Sequence, residues 1–205
     1  VRYDDLLPAL RASYDAEAAT RDSRPKQQFK LDERAAFLDR LQVTQARTLL
    51  DLGAGTGQDS AYFQDAGLSV VAVDLSPEMT ARCEAKGITA YVRDFLHLGF
   101  QPSSFDAAYA MNSFLHVPDA DLAEALTAVR TVVRPGGLFF LGLWGGSDSS
   151  GVKEADNLTP KRFFAHRQDT TLLTAVAPHF DVVDFHTVED NGWHFQSLTL
   201  AKPPE

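Results

Sequence analysis

Thr48-Leu49-Leu50-Asp51-Leu52-Gly53-Ala54-Gly55-Thr56-Gly57-Gln58-Asp59 is the stretch on which the fold turns. A short apolar run carries an acid near its end, glycines follow at every second position, and a segment of helical character begins. Glycine accepts positive φ and lets backbone approach a ligand, so a strand breaking into such a loop suits nucleotide binding. A dinucleotide fingerprint, G-x-G-x-x-G, counted from Gly53 needs its third glycine where Gln58 stands. Asp51 precedes the first glycine, where its charge would repel a pyrophosphate. An acid there suits a ligand that is cationic or rich in hydroxyl and amino donors.

Downstream, strand and helix alternate. Gln58 to Ala66 reads as a helix stopped by Gly67, and Val70 to Val73 as a strand ending in Asp74. Ser76-Pro77-Glu78 opens a helix with a capping residue and a proline at its first position. That helix holds Cys83 and ends at Gly87, and Ile88 to Val92 is the third strand, followed by Arg93-Asp94-Phe95. Phe105 to Ala110 is the fourth strand, Asp119 to Val133 a long helix, Arg134-Pro135-Gly136-Gly137 a break, and Leu138 to Leu143 the fifth strand. Trp144 to Asn157 is rich in Gly, Ser and Asp and reads as a loop. Thr159-Pro160 opens a further helix reaching about Ala177, with a possible break near Gln168. Phe180 to Val188 and Trp193 to Leu200 are strand-like and joined through Asn191-Gly192, a hairpin signal. Upstream, residues 3–20 and Phe29 to Leu41 are helical, separated at Pro25. They either cover the sheet or cap a ligand site, with Tyr14, Arg24 or Phe29 reaching it. Such alternation predicts an α/β fold with a doubly wound, mostly parallel seven-stranded sheet and an antiparallel C-terminal hairpin. Ligands of such sheets bind beyond the carboxyl ends of the strands, which predicts that the residues following the first four strands converge.

With 205 residues the chain suits one domain, and a formal net charge of −9 without a basic run argues against nucleic acid as substrate. No apolar run is long enough to span a bilayer and no signal peptide is visible. The start at Val1 instead of Met is expected of a sequence trimmed upstream. A single cysteine fits a reducing cytoplasm, and no Cys, His and acid cluster has metal-ligand spacing.

Taken together, Asp51-x-Gly53-x-Gly55-x-Gly57, Val73-Asp74-Leu75-Ser76, Arg93-Asp94-Phe95 and Val133-Arg134-Pro135-Gly136-Gly137 fall in an order that resembles the class I S-adenosylmethionine-dependent methyltransferases. The resemblance covers most of residues 47–143. It implies S-adenosylmethionine as cofactor, S-adenosylhomocysteine as product, no metal, and a Rossmann-like sheet. It further implies that Gly53, Ala54, Gly55 and Gly57 of the glycine loop bind the cofactor, with Asp51 supporting the loop or reaching the methionine amino group through water. Asp74, with Leu75 beside it, would bind the ribose hydroxyls, and Asp94 and Phe95 the adenine. Met111 and Asn112 would line the site below the methionine moiety.

The family's N/D-P-P-Y motif is absent after the fourth strand, which points to a small-molecule acceptor and away from nucleic-acid bases and protein amides. His116 follows the fourth strand and is either a general base or a pocket-lining residue. Tyr14, Trp144 and His166 are candidate acceptor contacts, His166 also reading as an ordinary helix-surface residue. The chain thus divides into an N-terminal helical cap (1–45), a cofactor core (46–143), a variable acceptor side (144–178) and a closing hairpin (179–205). Two other readings stay open: a cofactor-binding module without transfer, and a nicotinamide enzyme, the latter weakened by Gln58.

Overall fold

The computed structural model describes residues 1–204. Its strands are β1 (Thr48–Leu52), β2 (Ser69–Asp74), β3 (Thr89–Val92), β4 (Phe105–Met111), β5 (Val133–Trp144), β6 (Ser149–Val152), β7 (Phe163–His166), β8 (Asp181–Asp190) and β9 (Trp193–Ala201). The helices are α1 (Tyr3–Ser23), α2 (Gln28–Val43), α3 (Gln58–Asp65), α4 (Pro77–Ala85), α5 (Asp119–Val132) and α6 (Asp169–Val176). Seven strands form one sheet in the order β3-β2-β1-β4-β5-β9-β8, parallel from β3 to β5 and antiparallel at β9 and β8. Strand order reverses between β1 and β4, which puts the switch point directly beyond Leu52 and Met111.

Side chains alternate across the sheet because successive residues of a strand face opposite ways. Leu50, Leu52, Ala108, Ala110, Phe139 and Leu141 pack with the apolar faces of α5 and α6, including Leu122, Leu126, Val129, Leu172 and Val176. Leu49, Ala107, Tyr109, Leu138 and Phe140 turn the other way, towards Phe37, Leu38 and Leu41 of α2 and Phe63 of α3. Both faces are therefore covered, which explains why these strands read as continuous apolar runs. Among the described residues, no helix is long and apolar enough to cross a membrane.

The hairpin follows from its turn: Asn191 and Gly192 adopt φ +51° and +79°, the double positive φ of a tight turn matched to strand twist. The Arg134–Gly137 segment is not the clean break expected, because β5 already begins at Val133. Pairing with β4 passes from Phe105↔Val133 to Ala107↔Leu138, so these residues bulge out of the ladder. The bulge is tied to the end of β9, Gly136 N–H donating to the Lys202 carbonyl at 2.8 Å.

Two expectations for residues 144–178 need correction. The presumed loop contains β6, and the first half of the presumed helix is β7, antiparallel to it. The reason lies in Phe163-Phe164-Ala165-His166, where Phe163 and Ala165 are buried and Phe164 and His166 half-buried: a period of two, not of a helix. Only Asp169–Val176 is helical, so His166 sits on a strand.

Helix α1 runs along the carboxyl ends of the strands. Its first residue is held at α5, where Tyr3 N–H donates to Asp121 at 2.8 Å. Near its far end Asp22 pairs with Lys86, the residue following α4, at 2.5 Å. At the first anchor the Tyr3 ring stacks on Phe95, with centroids 6.1 Å apart, and midway along the helix Tyr14 reaches His116.

Candidate active site

The glycine loop is shaped by what surrounds each glycine. A Cβ on Gly53 would stand 2.4 Å from Ser113 Cβ, so the residue must be glycine for the loop after β4 to close on the loop after β1. A Cβ on Gly55 would meet nothing within 4 Å, because that side of the loop faces open space. Gly57 instead caps α3 and packs on Cys83. The loop is held by Gly53 and Ala54 N–H groups donating to the Val73 carbonyl at 2.8 and 3.1 Å.

Asp74 closes the arrangement. One carboxylate oxygen accepts from Gly55 N–H at 2.8 Å and the other from Ser76 N–H at 2.9 Å. A carboxylate offers about four acceptor sites, so each oxygen keeps a lone pair for a further donor. Burial raises the Asp74 pKa, opposed by those backbone donors. Asp51 is likewise buried and accepts from Ser60 Oγ at 2.5 Å. Burial, followed by the neighbouring Asp59, pushes its pKa up to about 7.

Two adjoining cavities open over this loop. The smaller, about 100 Å³, is lined by Gly53, Gly55, Asp74, Leu75, Phe95, Met111, Asn112 and Ser113 below and by Tyr3, Leu10 and Tyr14 of α1 above. The larger, about 430 Å³, is walled by Asp51, Ala54, Leu115, Trp144, Arg162 and Phe164. Arg21, Tyr14, Met111, Asn112 and His116 border both. Residues following β1, β2, β3 and β4 therefore converge as the alternation predicts. Asn112 adopts φ +57°, and its buried side-chain Oδ1 has no hydrogen-bond partner. Arg21 Nε is also buried without a partner. Asp94 lies outside both linings. Its Oδ1 accepts from Leu96 and His97 N–H at 2.8 and 3.0 Å, and the carboxylate holds the turn after β3.

His116 has a defined tautomer. Its Nδ1 is 2.7 Å from the Phe163 carbonyl, which can only accept, so Nδ1 carries the hydrogen. Burial pushes the His116 pKa down to about 3, so the ring is neutral and Nε2 accepts. Tyr14 supplies the donor, its hydroxyl 2.5 Å from Nε2. Arg162 Nη1 donates in turn to the Tyr14 oxygen at 3.0 Å, while its Nη2 pairs with Asp156 at 2.7 Å. The sequence points to Tyr14 and His116 separately and not to Arg162, which precedes a segment that reads as helix and folds as β7.

Trp144 lines the larger cavity, as does Arg24. Phe29 lies behind Trp144, with ring centroids 5.6 Å apart. His166 does not border either cavity; its ring stands 3.2 Å from Nζ of Lys153, the residue after β6. Lys30, Lys26 and Gln27, from the α1–α2 junction, complete the wall of the larger cavity and were not singled out in the sequence.

Residues 49–137 match the family model of the methyltransferase domain. Malonyl-[acyl-carrier protein] O-methyltransferase of Pseudescherichia vulneris is 30% identical over 131 residues, covering 63% of this chain and 51% of that protein. The chain spans about half or less of the length of the curated relatives it matches. Among solved structures, the Burkholderia thailandensis 1,6-didemethyltoxoflavin-N1-methyltransferase, with bound 1,6-didemethyltoxoflavin and S-adenosylhomocysteine, superimposes with a TM-score of 0.76. It is 21% identical, covering 99% of this chain and 91% of its own. The [4+2]-cyclase SpnF shares the fold at a TM-score of 0.63 and 18% identity, over 78% of this chain and 76% of its own.

Proposed function

We propose that the chain, whose residues 49–137 match the methyltransferase domain, is a class I S-adenosylmethionine-dependent methyltransferase that transfers a methyl group to a small-molecule acceptor by in-line displacement. The observation that carries this reading is the buried Asp74 carboxylate gripping Gly55 N–H while facing the smaller cavity.

The free polar groups fit that cofactor. A ribose brings two hydroxyl donors, and Asp74 keeps acceptor capacity for both. A methionine end brings an ammonium and a carboxylate. The unpaired Asn112 Oδ1 and the Asp51 carboxylate suit the first, and the unpaired Arg21 suits the second. Leu75 and Phe95 offer apolar surface for a base. Asp94 would reach its exocyclic amine only through Oδ2, which stands 3.1 Å from His97 Nδ1. On this reading α1 and α2 act as the cap, and residues 144–178 with Lys30 form the acceptor side.

When bound, the sulfonium supplies an already activated methyl group. The protein's part is then to align the acceptor and exclude water, which can account for much of the acceleration. His116 suits a positioning role better than a base: protonating a group whose pKa is about 3 costs about 5 kcal/mol at neutral pH. It orients the Tyr14 hydroxyl at the border of the cavities, with Arg162 holding the same oxygen from the other side.

A binding module without transfer is the second reading, supported by that same poor basicity. Calorimetric titration with S-adenosylhomocysteine tests both. Binding lost in Asp74→Ala, with the fold intact, supports the cofactor site. Methyl transfer to any member of an acceptor panel then separates enzyme from module. No binding by the wild-type protein would sink the reading.

A further inference from the structure

The chain carries a net charge of −9, yet the wall of the larger cavity holds Arg21, Arg24, Lys26, Lys30 and Arg162 against only Asp51 and Asp59. Most of these cations have partners. Lys26 is 2.8 Å from Asp59, Arg162 is 2.7 Å from Asp156, and Arg24 is 3.4 Å from Glu17. Asp59 is further shared with Arg34 at 2.9 Å. Among the described residues Arg21 and Lys30 have no ion-pair partner. Arg21 borders both cavities and is assigned above to the cofactor's carboxylate. Lys30 borders the larger cavity alone.

Lys30 is an expensive residue in this place. A half-buried ammonium without an ion-pair partner loses hydration that ring faces return only in part. Its surroundings are aromatic: Nζ lies 5.0 Å from the Trp144 ring centroid and 5.5 Å from that of Phe29. Burial and the nearby Lys26 and Arg21 push its pKa down to about 8, while Asp59 and Asp190 act in the other direction. An anion entering the cavity would relieve that repulsion. The same wall also carries the apolar side chains of Trp144, Phe164, Leu115 and Met111, beside the polar ones of Tyr14, Gln27, Gln58 and Asn112.

We propose that the larger cavity is an acceptor site for an aromatic acid, with Lys30 as counter-charge to the carboxylate and Trp144 and Phe164 as walls for the ring. This rests on reading the cavity as the acceptor side of a methyltransferase. A volume of about 430 Å³ accommodates a single small ring system beside the methionine end of the cofactor. Lys30 and Phe164 are far apart in the chain, so the site is made only when α2 docks beside the end of β5, where Phe29 meets Trp144. Ring and charge recognition together would select acids over their neutral amides, because an amide leaves the ammonium unpaired.

The test pairs benzoate, 4-hydroxybenzoate and indole-3-carboxylate with the corresponding amides. Each is titrated by calorimetry into the intact protein, with and without saturating S-adenosylhomocysteine. At least one acid is expected to bind ten times or more tightly than its amide. Lys30→Met should abolish that preference and Lys30→Arg retain it, while affinity for S-adenosylhomocysteine stays within twofold of wild type in both. Phenyl phosphate distinguishes the anion: binding tighter than that of every carboxylate would replace the aromatic acid by an aryl phosphate and overturn the assignment. Equal binding of acids and amides, no binding of any acid, or a preference that survives Lys30→Met would also overturn it. Loss of the preference in Arg162→Gln but not in Lys30→Met would move the anion to Arg162. S-adenosylhomocysteine that fails to bind sinks the cofactor reading by itself, and the titrations without it still judge the acid site.

Discussion

Tyr14 donates its hydroxyl hydrogen to His116 Nε2 at 2.5 Å, joining the middle of α1 to the loop after β4. The bond is directional because His116 Nδ1–H is committed to the Phe163 carbonyl. Three segments far apart in sequence are thereby locked at the border of the two cavities. Tyr14→Phe would leave a buried imidazole nitrogen unpaired, at a cost of about 1–3 kcal/mol. Urea unfolding at neutral pH should show that loss, and a variant as stable as wild type would mean that the bond carries no weight.

The same histidine makes acid stability predictable in sign. Its pKa is about 3 in the folded chain against 6.5 for the free side chain. Between these values the unfolded chain binds a proton that the folded chain refuses. Its contribution is therefore present above 6.5 and lost as pH falls towards 3. Replacing His116 by Phe should flatten the slope of unfolding free energy against pH in that window. An unchanged slope would show that the ring takes up protons freely in the native state.

Asp74→Ala removes the acceptor for Gly55 N–H, for Ser76 N–H and for the expected ribose hydroxyls. Hydrogen bonds to a charged group are worth about 1.5–3 kcal/mol, so S-adenosylhomocysteine affinity should fall between tenfold and more than a hundredfold. Asp74→Asn keeps one oxygen and should lose less. Equal affinity in all three proteins, measured by calorimetry, would remove Asp74 from the site.

Asp51 predicts a proton on the move. Its pKa of about 7 reflects burial and the neighbouring Asp59 carboxylate, opposed by the Ser60 hydroxyl and the Lys26 charge. An ammonium bound against it would favour the ionised form, so cofactor binding near pH 7 should release roughly half a proton per site. Calorimetry in phosphate and in Tris, whose ionisation heats differ, would show this as a difference in apparent enthalpy. Affinity should also weaken as pH falls below 7, where Asp51 is protonated before the ligand arrives. Asp51→Asn should abolish both effects.

The parallel sheet was legible in the sequence because its signals are local. Each strand is an apolar run, and each helix starts or stops at a residue with a backbone reason, as at Ser76-Pro77 and Gly67. The site's floor was legible for the same reason, since a parallel sheet brings the residues after its strands to one edge. What was not legible depends on contacts between distant segments. Phe163 to His166 could be helix or strand until β6 paired with it, and with that register went the position of Arg162. Asp94 was assigned by resemblance to a base contact, whereas its local hydrogen bonds to Leu96 and His97 are visible only in three dimensions. Lys30 left no trace in the sequence at all. An exposed and a half-buried lysine at a helix start look identical until Trp144 closes over one side.

Lys30 should consequently cost the fold stability. Its folded pKa of about 8 lies below the 10.5 of a free lysine, so the unfolded chain holds a proton more firmly. The full cost applies below pH 8, and stability should be recovered as pH rises towards 10.5. Lys30→Met keeps the length of the side chain and its contact with Trp144 while deleting the charge. It should stabilise the protein at pH 7 by about 1–3 kcal/mol, seen as a higher Tm. That gain should shrink as the comparison is repeated towards pH 10. A residue kept for structure would behave in the opposite way, its removal lowering the Tm at every pH. A lysine that faces the larger cavity without an ion pair is placed for a ligand that brings the missing charge. An aryl acid that binds wild type should then raise its Tm and leave that of Lys30→Met unmoved.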